Sequence, residues 1–73
     1  MTNTIDDMLS EALKDIDFES EILDRVPTMS NYEMNQEVDK MLTQIKDENT
    51  NVEVKERLEK ESRVISLKIL RRP

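Results

Sequence analysis

The sequence contains no cysteine, no glycine and no histidine, and its aromatic residues are limited to Phe18 and Tyr32. Without cysteine no disulfide framework can form. Without glycine the chain is poorly equipped for tight hairpin turns and phosphate-binding loops, which favours helices joined by polar linkers. Histidine and cysteine are the usual general base and the strongest nucleophile, and a small core offers no deep cleft in which paired carboxylates would acquire different pKa values. We therefore expect no enzymatic activity and no cofactor.

The length of 73 residues allows one domain at most, and we expect residues 1–73 to form a single small helical domain. Such a chain buries only about 60% of its unfolded surface, so a partner or self-association would add stability. With 38% charged residues, folding only on binding stays open. No apolar run reaches the roughly twenty residues of a bilayer span, and no signal-like start is present, so the expected location is cytoplasmic.

Charge is distributed unevenly along the chain. Residues 1–26 contain eight carboxylates and two basic side chains, for a net charge of −6. Residues 27–50 contribute −3, and residues 51–73, with seven basic and four acidic side chains, contribute +3. Because blocks of like charge recruit surfaces of opposite sign, we expect the two ends to contact different partner surfaces.

Apolar periodicity predicts the first two helices. Thr4 is a suitable N-cap for a helix whose apolar residues recur at intervals of three and four. These residues are Ile5, Met8, Leu9, Ala12, Leu13 and Ile16. A short second helical segment over 22–26 is expected to end before Pro27, because proline disfavours helical geometry in the residue before it. Residues 27–30 are then a linker.

Two further helices follow from capping patterns. Ser30 and Glu33 have the spacing of a capping box, and the periodicity after them predicts a helix from about Asn31 to Lys46. The polar stretch 47–51 is typical of a turn. Thr50 then has the spacing of a second capping box, and three acid–base pairs four residues apart favour the helix beyond it. These pairs are Glu53 with Arg57, Glu56 with Lys60, and Glu59 with Arg63. The predicted fold class is all-α, a small bundle of three to four helices with short polar linkers.

The segment 64–70 fits two interpretations. As a helix, which is favoured, it is apolar nearly all round; as a lone strand, it needs a partner sheet edge or a second copy. Both interpretations expose apolar surface, so we predict partner binding through Ile65, Leu67 and Ile69, together with Arg71 and Arg72. The two arginines also suit the negative end of a helix.

Acidic residues alternate over 15–21, namely Asp15, Asp17, Glu19 and Glu21. This resembles the opening of a calcium-binding loop, but Ser20 stands where the loop needs glycine and Val26 where it needs a bidentate glutamate. We therefore expect no metal site. The four carboxylates are predicted to form a solvated acidic face and are our candidates for binding a partner.

The favoured function is a small, acidic, non-enzymatic protein-binding module, a regulator or inhibitor whose partner offers a basic patch or an apolar groove. In a sharper version the acidic face imitates nucleic-acid phosphates and blocks a nucleic-acid-binding protein. The alternative is a structural subunit or assembly chaperone that completes a helical bundle in a larger particle, for example a viral one. A homo-oligomer is compatible with both. Direct binding of nucleic acid ranks third, because the acidic half repels a polyanion.

Overall fold

A 20-residue helix near the C-terminus, α4 (Val52–Arg71), is the element against which the other helices pack. The structure is a computed structural model that describes residues 4–72. Before α4 lie α1 (Ile5–Lys14), α2 (Glu21–Arg25), a 3-10 turn (Val26–Thr28) and α3 (Asn31–Lys46). No strand occurs within the described range. The predicted small all-α bundle is confirmed, and segment 64–70 is helical.

Side-chain caps define where all four α-helices begin. The Thr4 hydroxyl accepts a hydrogen bond from the Asp7 amide at 3.1 Å, and Ser30 and Glu33 form the predicted capping box. Helix α4 differs from the prediction, because Asn51 rather than Thr50 caps it. The Asn51 side-chain oxygen accepts from the Glu53 amide at 2.7 Å. Asparagine is among the strongest N-cap residues, which explains the shift of one position.

The structure around Pro27 also differs from the prediction. Helix α2 ends at Arg25, but the chain continues through a 3-10 turn that includes Pro27, so part of the predicted linker is helical. Val26 keeps helical dihedral angles (φ −52°, ψ −41°) although it precedes a proline. Val26 is 1% exposed, and Pro27 stands at the start of the turn, where its missing N–H leaves no hydrogen bond unmade. Burial of Val26 therefore outweighs the local preference.

The core consists of two clusters of buried residues on different faces of α4. The α3-side cluster comprises Val26, Met29, Met34, Met41 and Ile65. The α1-side cluster comprises Leu9, Ala12, Val64 and Leu67. Because α4 is covered on both faces, a segment that is apolar nearly all round can be an ordinary core helix. Leu23 of α2 is partly buried and packs against both clusters.

Both long neighbours run antiparallel to α4. Asp6 near the start of α1 pairs with Arg71, while Asp15 at its end pairs with Arg63. Helix α3 reaches α4 through the turn at 47–51, so these two helices form a hairpin. Because α1 ends beside Arg63, the turn end of this hairpin extends beyond α1. The molecule measures 41 × 26 × 20 Å. No helix in the described part of the chain is long and apolar enough to cross a membrane.

The three acid–base pairs predicted within α4 do not form salt bridges in the described structure. Arg63 instead lies near Asp15, and the guanidinium of Arg57 lies over the Phe18 ring. Both arginines thus contact the acidic N-terminal half of the chain. Exposed pairs within one helix contribute only about 0.3–0.5 kcal/mol, so competing contacts of similar strength readily replace them.

Candidate functional site: an acidic surface beside an apolar groove

The acidic residues predicted to bind a partner lie together on the connection between α1 and α2. Asp15 follows the last residue of α1, Asp17 and Glu19 lie in the connection, and Glu21 begins α2. Asp24 follows one turn later. All five side chains belong to exposed residues, and we call this group the acidic surface.

Most of this negative charge is not neutralised within the protein. Asp15 lies 3.9 Å from Arg63, and both side chains are more than half exposed, so this ion pair is weak. Within residues 4–72, the carboxylates of Asp17, Glu19, Glu21 and Asp24 form no ion pair. The acidic surface therefore keeps most of its charge for interactions outside the chain.

Two contacts hold the connection against α4. The Arg57 guanidinium carbon lies 5.4 Å from the centre of the Phe18 ring, within the range of a cation–π interaction. The Ser20 hydroxyl donates a hydrogen bond to the Glu61 carboxylate, and its oxygen accepts from the Leu23 amide at 3.3 Å. Ser20 is buried and is the N-cap of α2. The acidic surface is thus carried on a chain segment fixed at two points.

An open groove of about 690 Å³ runs beside the acidic surface, and we call it the acidic groove. Four apolar residues line it: Leu13, Ile16, Phe18 and Leu23. Three carboxylates, an ammonium group and a hydroxyl complete the lining: Glu19, Glu21, Asp24, Lys68 and Ser20. The groove therefore joins exposed apolar surface to the acidic surface.

The expected exposure of apolar residues at 64–70 is not found for Ile65 and Leu67. Ile65 is 0% exposed in the α3-side cluster, and Leu67 is 6% exposed in the α1-side cluster. Ile69 is half-buried and packs on the α3-side cluster. Ile65 and Leu67 are therefore not exposed to a partner in the folded protein, because α1 and α3 already cover both faces of α4. Leu70, at 66% exposure, is the apolar residue of this segment that faces solvent.

The two arginines predicted to bind a partner contact the rest of the chain. Arg71 pairs with Asp6 at 2.8 Å on the surface. Arg72 donates hydrogen bonds to the carbonyls of Met29 (2.7 Å) and Val26 (3.2 Å) and to the side chain of Asn31 (3.1 Å). Arg72 thus joins the end of α4 to the start of α3. Sequence offered no signal for these bonds beyond the presence of a basic residue near a helix end.

Two further depressions have mixed charge. One of about 720 Å³ lies along α1 and is lined by Asp7, Met8, Ser10, Glu11, Lys14 and Arg63. Another of about 370 Å³ is lined by Asp17, Phe18, Glu53, Glu56, Arg57 and Lys60. Across the described residues, no three acidic side chains converge in a geometry suited to a metal ion.

Comparisons with models of known protein families, with characterised proteins and with solved structures give no match. The acidic surface and the acidic groove are therefore the features of this chain that bear on its function.

Proposed function

We propose that this protein is a small, non-enzymatic protein-binding module that acts by occupying the surface of another protein, as a regulator or inhibitor. The observation that supports this proposal is the acidic surface, in which four of five exposed carboxylates form no ion pair in the described structure. Unpaired surface charge accelerates the encounter with a surface of opposite sign and orients it. The partner accordingly carries a basic patch.

The acidic groove bears on whether the acidic surface imitates nucleic acid. Phosphate backbones are polyanions, so proteins that bind them recognise them mainly through charge. Here Leu13 and three half-buried apolar residues lie directly beside the carboxylates. This combination favours a partner that offers apolar as well as basic side chains over mimicry of nucleic acid.

The test compares two variants with the same change in net charge. The first replaces Asp15, Asp17 and Glu21 by lysine, and the control replaces Asp39, Glu48 and Glu59 by lysine. All six residues are exposed, and only Asp15 among them forms an ion pair in the described structure, the weak one with Arg63. Tagged wild type and both variants are used to capture proteins from the native lysate, followed by mass spectrometry. We expect a protein that wild type and the control retain and the first variant loses, while all three melt at similar temperatures.

Two results of this capture experiment would contradict the proposal. Equal loss of the partner from both variants would show that only net charge matters. Full retention by the first variant would show that the acidic surface is an ordinary solvated face.

A structural subunit is the second candidate, supported by exposed apolar residues at the turn end of the α3–α4 hairpin. Val52 is 68% exposed, and Val54 is exposed to a lesser degree. Such residues become buried when a hairpin joins a larger bundle. Sedimentation distinguishes the candidates, because a free regulator remains a folded small species, whereas an assembly subunit associates through this end.

A further inference from the structure

We propose that the acidic groove binds a basic amphipathic helix of the partner protein, whose apolar residues enter the groove while its lysines and arginines face the acidic surface. This inference rests on the proposed function and adds the class of ligand and the residues that select it. The occupant is therefore a peptide segment with apolar residues at helical spacing and positive charge beside them.

The apolar residues that line the groove provide the apolar part of this recognition. Leu13 is 44% exposed, although it lies one turn from the buried Leu9. Ile16 and Leu23 pack on the α1-side cluster with part of their surface and line the groove with the rest. Apolar surface in a concave site gives a favourable free energy when a partner removes it from water.

The charged residues that line the groove determine which charge the ligand must carry. Its lining carries three carboxylates, Glu19, Glu21 and Asp24, and one ammonium, Lys68, which gives a net charge of −2. The three carboxylates belong to exposed residues without an ion pair in the described structure, and Lys68 is half-buried. This charge favours a cationic segment and disfavours nucleic acid or an anionic membrane.

The shape of the groove favours a macromolecular ligand over a small molecule. Its volume of about 690 Å³ falls in the range of small-molecule sites, but such sites enclose the ligand and direct several polar groups at it. Here the groove is open, and the Ser20 hydroxyl is already engaged by Glu61 and the Leu23 amide. The depression along α1 is lined by a single large apolar residue, Met8, so it lacks a comparable apolar surface.

The test uses two fluorescent peptides of about fourteen residues, or roughly four helical turns. One peptide places leucines along a single face with lysines elsewhere; the other has the same composition in an order that removes the apolar face. Fluorescence anisotropy measures the binding of both to wild type and to Leu13→Ser and Leu42→Ser variants. Leu42 is a matched control because it is also a helical leucine, 43% exposed, but in α3.

We expect the amphipathic peptide to bind wild type and Leu42→Ser equally, and Leu13→Ser about tenfold more weakly, as for a residue in the centre of a contact. The scrambled peptide should bind all three proteins weakly. Circular dichroism melts of both variants check that serine has similar effects on the two helices.

Several outcomes of the peptide experiment would overturn this inference. The protein-binding function itself is tested separately by the capture experiment. The outcomes that overturn the inference are equal binding of both peptides, equal weakening by both variants, or no measurable binding of the amphipathic peptide. Concentration-dependent dimerisation of wild type that Leu13→Ser abolishes would also overturn it, since a second copy would then occupy the groove. One of these results could occur while the acidic-surface variant still loses the partner in the capture experiment. The proposed function would then stand without a role for the groove.

Discussion

The two clusters of buried residues differ in size and in how the chain reaches them. The α3-side cluster lies within a hairpin of neighbouring helices and is closed by the 3-10 turn, whereas the α1-side cluster receives two buried residues, Leu9 and Ala12, from a ten-residue helix. More buried apolar area means that more free energy is needed for opening. We infer that the α3–α4 hairpin is the stable body of the protein and that α1 opens first.

The largest expected effect is on the α3-side cluster. Ile65→Ala should lower the free energy of unfolding by about 2–5 kcal/mol, because it leaves a cavity at a side chain that is 0% exposed. Urea denaturation measures this loss. Leu70→Ala, at an exposed position of the same helix, is the control and should change stability by less than about 0.5 kcal/mol. Similar small effects from both substitutions would mean that Ile65 is not in the core.

The second test acts on the α1-side cluster. Ala12→Asp introduces an unpaired carboxylate where α1 contacts α4, which should release α1 at a cost of about 2 kcal/mol. Hydrogen exchange should then accelerate for amides of residues 5–14 and remain slow in α3 and the second half of α4. Ser10→Asp, at an exposed position of α1, should leave this exchange pattern unchanged. Simultaneous loss of protection in all helices would refute the distinction between a stable body and a loosely held α1.

The third test concerns the bonds that close the α3-side cluster at one end. Arg72→Ala removes donors to Met29, Val26 and Asn31 and should cost about 1–2 kcal/mol, since two of the acceptors are partly buried carbonyls. Arg71→Ala removes only a surface ion pair and should cost less than about 1 kcal/mol. Thermal denaturation of both variants gives the difference. Equal destabilisation would assign both arginines the same surface role.

The smallest expected effect comes from the ion pairs that link α1 to α4. Asp6→Asn and Asp15→Asn together should destabilise the protein by at most about 1 kcal/mol, because all four side chains are more than half exposed. The difference from wild type should shrink as salt is raised, since salt screens exposed charges. A salt-independent loss measured by chemical denaturation would show that the aspartates act through packing or capping instead.

Local interactions explain why the helices could be predicted from sequence. The Ser30–Glu33 capping box spans four residues, and α3 lies at the predicted bounds of Asn31 and Lys46. Long-range contacts could not be predicted in this way. Arg72 bonds to residues more than forty positions earlier, and periodicity does not reveal which helices cover the two faces of α4.

The candidate site was predictable only in part, for the same physical reason. The acidic residues from Asp15 to Glu21 are exposed, as a dense run of carboxylates predicts. The groove beside them was missed because periodicity places Leu13 on the same apolar stripe as Leu9 and Ala12. In the structure only Leu9 and Ala12 of α1 are buried, and Leu13 keeps 44% of its surface exposed.

The position of Leu23 gives the groove a thermodynamic role in the fold. Leu23 packs against both clusters and also lines the acidic groove, so a ligand there touches a residue that connects α1 to the stable body. Linkage requires that a ligand bound only by the folded protein raises its stability, by about 2.7 kcal/mol at a free concentration of 100 Kd. Occupying the groove should therefore make the detachment of α1 less favourable, so that the fraction of time α1 spends detached reports how much partner is bound.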